Sequence, residues 1–271
     1  MIKRNGLYIH GPGEAVHLAK VNCYNSTAEI GRCDLVLITV KMTANDAIVG
    51  LLSPLLHERA ILLTLQNGLR NEAFLAKHFG AERVLGELCF IALRRISRTE
   101  IQRCQYGGII IGEYQRAGQL RTHEVAAEFR CAGITCGVTD DLLLERWRKL
   151  VWNVPFNCLS ILASGLDTAA ILGDEALRKA ALALMEQVVA VANARGHALG
   201  CDAIEEQMRR TAAMGTYKPS TLLDFEAGRD LEVEAIWGEP LRLARAAGAE
   251  TPRREIVYTL LKALATTAKR R

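Results

Sequence analysis

Asp34-Leu35-Val36-Leu37-Ile38-Thr39-Val40 is a near-continuous run of branched apolar residues. It is far too short to span a membrane and too uniformly apolar for a strand with one wet face. Such a run suits a parallel strand covered on both faces. The following residues support that reading: Thr43 caps a predicted helix through about residue 55, and residues 60–65 form a second buried apolar strand. A short helix over 71–79 and a strand over 83–88 continue the alternation, which argues an α/β fold.

Working outward, residues 7–10 and 15–19 flank Gly11-Pro12-Gly13 and read as a small hairpin. Strands at 101–105 and 108–113 sit around a Gly-Gly turn. A helix near 122–130 and a strand over 134–138 close this half. Beyond Thr139 the texture turns helical: Asp140 and Asp141 suit a first helical turn, and an apolar-periodic stretch over 174–195 ends at Gly196. Further helices are expected over 203–214, 231–248 and 252–269. The expected organisation is therefore an α/β domain at 1–138 and an all-α domain at 139–271.

Composition narrows the class. Half of the 271 residues are apolar and the formal net charge is +4, as in an ordinary globular protein. The basic end Lys269-Arg270-Arg271 has no interleaved aromatic residues and does not read as a nucleic-acid arm. Eight cysteines lie scattered without a C-x-x-C pair, which points to reduced core thiols rather than a disulfide scaffold. No histidine pair has zinc-ligand spacing, so no metal is expected. No apolar run is long enough to span a membrane, and a cytoplasmic location is expected.

Three features could carry chemistry. Lys149, Asn153 and Asn157 recur every four residues and so share one helix face. A cation and two carboxamides can hold the carboxylate, carbonyl and hydroxyl oxygens of a small acid; the plain alternative is a polar stripe facing solvent. Leu65-Gln66-Asn67-Gly68-Leu69 follows a buried strand at its carboxyl end, where open α/β sheets bind ligands, although Asn67 and Gly68 also suit a simple turn. In Lys218 to Asp224, Ser220 could be a helix N-cap and, further on, Gly228 a helix stop. Glu232 lies among apolar residues.

Taken in order, Asn5-Gly6-Leu7, residues 34–41, the Gln66-Asn67-Gly68-Leu69 core, residues 147–157, 219–224 and 228–236, and Thr251-Pro252 make the chain resemble the ketopantoate reductase family along nearly its whole length. The resemblance implies a Rossmann-like NADP(H)-binding domain followed by a helical domain of the 6-phosphogluconate dehydrogenase-like type. It implies NADPH-dependent reduction of a 2-keto acid, with 2-dehydropantoate, converted to pantoate in pantothenate biosynthesis, as the default substrate. By that resemblance Lys149 is the general acid, and Glu232 sits beside cofactor and substrate, orienting the lysine or a ribose. Asn67, Asn153, Asn157 and Ser220 hold the substrate, and Lys41, Asn67 and Glu232 meet the cofactor. The partners implied are a small keto acid and, as an option, a second copy of the chain, with no nucleic acid, membrane or metal.

Two departures bear on this. In the family a strand-loop-helix bearing G-x-G-x-x-G precedes the Asn-Gly-Leu segment, whereas here Asn5 already belongs to that segment. The expectation is a cofactor domain without its first βαβ elements, poor at holding NADPH alone. A further substrate asparagine, about ten residues beyond Asn157 in the family, is replaced by Ser164-Gly165-Leu166-Asp167-Thr168. Two other readings therefore stand beside the first: a paralogue reducing another branched or bulkier keto acid, and a catalytically silent remnant serving as an interaction or dimerisation module.

Overall fold

The computed structural model describes residues 1–11, 13, 15–105 and 107–268. Pro12 of the expected hairpin turn and the basic end at 269–271 lie outside the described residues. The chain divides into two compact units. The first comprises Met1–Val40, Ala44–Gln66 and Glu72–Leu142; the second comprises Lys41–Thr43, Asn67–Asn71 and everything from Leu143 onward.

The first unit opens with a helical turn α1 (Ile2–Asn5), followed by β1 (Leu7–His10), β2 (Val16–Leu18), β3 (Leu35–Ile38), α2 (Asn45–Leu52), β4 (Ile61–Thr64) and α3 (Asn71–Phe79). It continues with β5 (Val84–Cys89), β6 (Ala92–Arg95), β7 (Glu100–Gln105), β8 (Gly108–Glu113), α4 (Leu120–Cys131) and β9 (Thr135–Thr139). Five strands form a sheet in the order β3-β4-β5-β8-β9, parallel from β3 to β5, antiparallel at β5–β8 and parallel again at β8–β9. Side-chain alternation sends Leu62 and Val84 to one face, with Ile48 and Leu52 of α2 and Leu75 of α3. Leu63, Leu85 and Ile111 go to the other face with Val125 and Ala126 of α4. Leu62 and Leu63 are both fully buried, each contributing roughly 1.5–3 kcal/mol. A second sheet has the order β2-β1-β7-β6.

Several expectations need correcting here. The run 34–40 is not covered throughout: among the described residues β3 (Leu35–Ile38) has a strand neighbour on one side only, and Leu37 is 45% and Val40 44% exposed. Thr43 is not a helix cap: Met42–Ala44 is a 3-10 turn, and α2 begins after Ala44 without a side-chain cap. The strands expected on either side of the Gly-Gly turn are present, with β7 in the small sheet and β8 in the large one. Strand β6 was not foreseen, because its Arg94 and Arg95 break any apolar alternation; its pairing with β7 makes it a strand. Among the described cysteines only Cys136 and Cys158 are buried, and Cys131 and Cys201 are exposed, so most are not core thiols.

The second unit is helical: α5 (Leu142–Leu162), α6 (Thr168–Gly173), α7 (Glu175–Ala194), α8 (Asp202–Met214), α9 (Ser220–Glu226), α10 (Glu239–Ala246) and α11 (Pro252–Ala268). Asp140 and Asp141 precede α5 rather than entering its first turn, and Asp140 accepts from the Gly118 N–H instead. Ser220 is the first residue of α9, behind Pro219, and makes no cap bond. The helix expected over 231–248 begins at Val233 and opens with a π turn, Glu234–Gly238, before α10. Asp174 caps α7 by accepting from the Leu177 N–H, and Gly196 follows its end at φ +87°. The core gathers around α5 and α7, with Trp147, Phe156, Met185, Val188 and Trp237 all buried. Among the described residues no helix is long and apolar enough to cross a membrane.

Candidate active site

The expected site residues Lys41, Asn67, Lys149, Asn153, Asn157, Ser220 and Glu232 all belong to the second unit. Helix α5 supplies three of them. Its apolar positions Trp147, Leu150, Val151, Val154 and Cys158 pack into the core. The asparagines do not face solvent: Asn153 is 7% and Asn157 2% exposed. Asn157 Nδ2 donates to the carbonyl of Asn153 at 2.8 Å, and its Oδ1 accepts from the Thr221 N–H at 3.3 Å. Asn157 thus ties α5 to the first turn of α9 and sets Ser220 next to that junction. No described residue hydrogen-bonds the carboxamide of Asn153, and its oxygen and nitrogen are not sealed from solvent, so the amide is open to a ligand.

Glu232 forms a second corner. Its Oε1 accepts from the Met42 N–H at 3.1 Å. Burial pushes its carboxyl above the usual glutamate range; the Met42 N–H and the charges of Lys41 and Lys149 pull it partly back, and Asp224 adds to the rise. Lys149 is therefore close enough for its charge to act on Glu232. Lys41 Nζ donates to Asp224 Oδ2 at 2.6 Å and to the carbonyl of Asp230 at 3.0 Å, so its ammonium is ion-paired. Asp224 also accepts from Arg229 Nε at 2.8 Å.

The third corner is Asn67-Gly68-Leu69. Gly68 has φ +83°, and a Cβ there would lie 2.5 Å from the carbonyl oxygen of Ala235. The Leu69 N–H donates to that same oxygen at 3.2 Å. Only glycine lets this segment press against the π turn that follows Glu232. Trp237 Nε1 donates to the carbonyl of Val154 at 3.1 Å, tying the turn to α5 between Asn153 and Asn157. The side chain of Asn67 has no hydrogen-bond partner among the described residues, while its carbonyl accepts from Asn71 Nδ2. At the departing position, Asp167 caps α6 by accepting from the Ala170 N–H at 2.8 Å.

Asp224, the Met42 N–H and the π turn were not foreseen as parts of this cluster. Asp224 meets a lysine 183 residues away in the chain, and no local pattern announces such a pairing. Among the described residues no group of His, Cys, Asp and Glu is placed to hold a metal ion. A nicotinamide cofactor fits these residues at its reactive end, where the Asn67 and Asn153 carboxamides await partners. The described residues include no glycine loop from strand to helix to cradle its phosphates.

An α/β unit with a Rossmann-like sheet, joined to a helical unit that gathers a lysine, open carboxamides and a buried carboxylate, defines a class: two-domain nicotinamide-linked oxidoreductases. The chain belongs to the ketopantoate reductase family, whose model, Ketopantoate reductase PanE/ApbA, matches residues 1–116, and whose C-terminal model matches residues 141–265. It is similar to a 2-dehydropantoate 2-reductase of Nostoc sp., 33% identical over 97% of this chain and 84% of the relative. The 2-dehydropantoate 2-reductase structure from Geobacter metallireducens is 41% identical, with TM-score 0.93 over 97% of this chain and 87% of that one. A D-mandelate dehydrogenase structure with NADH and anilino(oxo)acetate shares the fold at 18% identity and TM-score 0.89, covering 99% of this chain and 87% of that one.

Proposed function

We propose that this chain reduces a 2-keto acid at the expense of NADPH, with 2-dehydropantoate as substrate, and so serves pantothenate biosynthesis. The observation that carries the reading is the open, unpartnered carboxamide of Asn153 on the same helix face as Lys149, with the charge of that lysine acting on the buried Glu232. Lys149 donates a proton to the keto oxygen, and Asn67, Asn153 and Ser220 hold the acid. Asn157 fixes the α5–α9 junction and keeps one amide N–H for the ligand. Glu232 orients the Lys149 ammonium. When bound, the cofactor supplies the hydride to the keto carbon, which completes the hydroxyl product. By chain order the domain roles are residues 1–138 for cofactor and 139–271 for substrate and catalysis.

The cofactor's phosphates need a cradle that the described residues do not supply, and β3 has a free edge of the kind that accepts a parallel strand. We propose that tight NADPH binding requires a strand-turn-helix unit paired beside β3. Titrating NADPH against the 271-residue chain, and against a form extended upstream in frame, tests this. Binding and 2-dehydropantoate reduction in the extended form alone support it. Micromolar binding by the short form refutes the need for added structure, and silence in both favours the remnant serving as an interaction or dimerisation module. A substrate panel including bulkier 2-keto acids tests the identity of the acid, since Asp167 caps a helix where the family resemblance places an asparagine. Light scattering tests whether a second copy of the chain is a partner. Within an active form, Lys149→Ala lowers turnover by roughly 10²–10⁴-fold; near-normal turnover removes Lys149 from the mechanism.

A further inference from the structure

The net charge of this chain is not spread over its surface. The two segments that build the small sheet, residues 1–24 and 91–105, contain Lys3, Arg4, Lys20, Arg94, Arg95, Arg98 and Arg103 against Glu14 and Glu100. Seven cations against two carboxylates leave +5 there, more than the +4 of the whole chain. The remaining residues together carry −1. Such concentration raises the local potential and costs self-repulsion unless an anion offsets it.

The same sheet contains a cavity. It has a volume of about 530 Å³ and is lined by Ile2, Lys3, Cys23, Tyr24, Arg95 and Arg98, among others. Small-ligand sites run to roughly 300–1,000 Å³. Its charged lining is all positive, and among the described residues no carboxylate lies within ion-pairing distance of Lys3, Arg95 or Arg98. Lys3 Nζ sits 5.8 Å from the centre of the Tyr24 ring, whose side is 46% exposed. Ile2 and Cys23 add apolar surface. Guanidinium groups with free donor forks favour phosphate oxygens, which they can bind in bidentate fashion. The tyrosine ring offers a stacking face for a planar base.

We propose that this cavity binds a nucleotide, with its phosphates on Lys3, Arg95 and Arg98 and its base against Tyr24. The ligand that this chemistry suits is a free mononucleotide, separate from the cofactor of the proposed reaction. An open depression of about 530 Å³ accommodates a mononucleotide but does not form the extended track that a nucleic-acid strand requires.

Isothermal titration of the 271-residue chain with ADP, inorganic phosphate, NADPH and a short single-stranded oligonucleotide tests the proposal, at low salt and again at high salt. The expected result is salt-sensitive ADP binding, weakened about tenfold or more by Arg95→Ala with Arg98→Ala. Tyr24→Ala weakens ADP but leaves inorganic phosphate unchanged, and Lys179→Ala, on an exposed face of α7, changes neither. These substitutions are at exposed positions, and circular dichroism checks that each variant is folded. ADP binding indifferent to NADPH identifies the free nucleotide as the ligand, whereas NADPH that displaces ADP overturns the proposal and makes the cavity part of the cofactor site. No heat with ADP up to about 1 mM overturns the proposal, as does binding that the double substitution leaves untouched. Oligonucleotide binding without ADP binding also overturns it and reassigns the charge to a polyanion surface.

Discussion

The carbonyl oxygen of Ala235 accepts from the Leu69 N–H at 3.2 Å and lies 2.5 Å from where a Cβ on Gly68 would stand. That contact holds the Asn67 segment against the turn following Glu232.

Gly68→Ala is accordingly expected to be severe. Positive φ alone costs about 1 kcal/mol for a residue with a Cβ, and the clash is with backbone, which cannot swing aside. Thermal unfolding should show a clear loss of stability, and substrate KM should rise as Asn67 shifts. Wild-type melting and KM in the variant would show that the segment is not held by this contact.

Glu113 offers a test in the first unit. Its side chain is fully buried, with Arg121 Nη2 at 2.6 Å and Arg116 Nη2 at 2.9 Å from Oε2 and the Thr122 hydroxyl at 2.7 Å from Oε1. Burial alone would raise its carboxyl, but the hydrogen bonds from Arg121, Thr122 and Arg116 hold it below the usual glutamate value. A depressed carboxyl stabilises the fold above its unfolded pKa, and that stability is lost as pH falls through the folded value. Glu113→Gln should therefore cost about 3–5 kcal/mol near neutrality, as for a broken buried ion pair, and the cost should shrink in acid. Urea unfolding at pH 7 and pH 3.5 measures both.

Glu232 has the opposite sign. Burial raises its carboxyl, so the ionised form weighs against folding once pH exceeds the ordinary glutamate range, and the relief returns as pH falls. Glu232→Gln should raise the melting temperature at pH 8, with the gain fading toward pH 5, while lowering turnover in an active form. A gain that does not vary with pH would show that the carboxyl charge is not its source.

Arg254 is 1% exposed, and its Nε, Nη1 and Nη2 find no hydrogen-bond partner among the described residues. Burial pulls its guanidinium down to about 10. Replacing it by an apolar side chain of similar length, Arg254→Met, should stabilise the protein by up to about 3 kcal/mol at neutral pH. A loss of stability in denaturant unfolding would mean that a bound anion or ordered water compensates the charge.

The sequence by itself determined the alternation of strands and helices in the first half and the helical character of the second. Apolar runs such as 34–40 and 60–65 between helical stretches marked strands, and the four-residue spacing of Lys149, Asn153 and Asn157 places them on one face of a helix whatever surrounds it. The family resemblance extended the site to Asn67, Ser220 and Glu232. Tertiary structure alone decided which strands share a sheet: β7 and β8 are neighbours in sequence yet pair in different sheets, because pairing depends on partners far along the chain. It also decided that Asp224 pairs with Lys41, that Gly68 presses on Ala235, and that Glu232 is buried. Those contacts join residues more than 160 positions apart, and local propensity carries no information about which distant group will lie alongside.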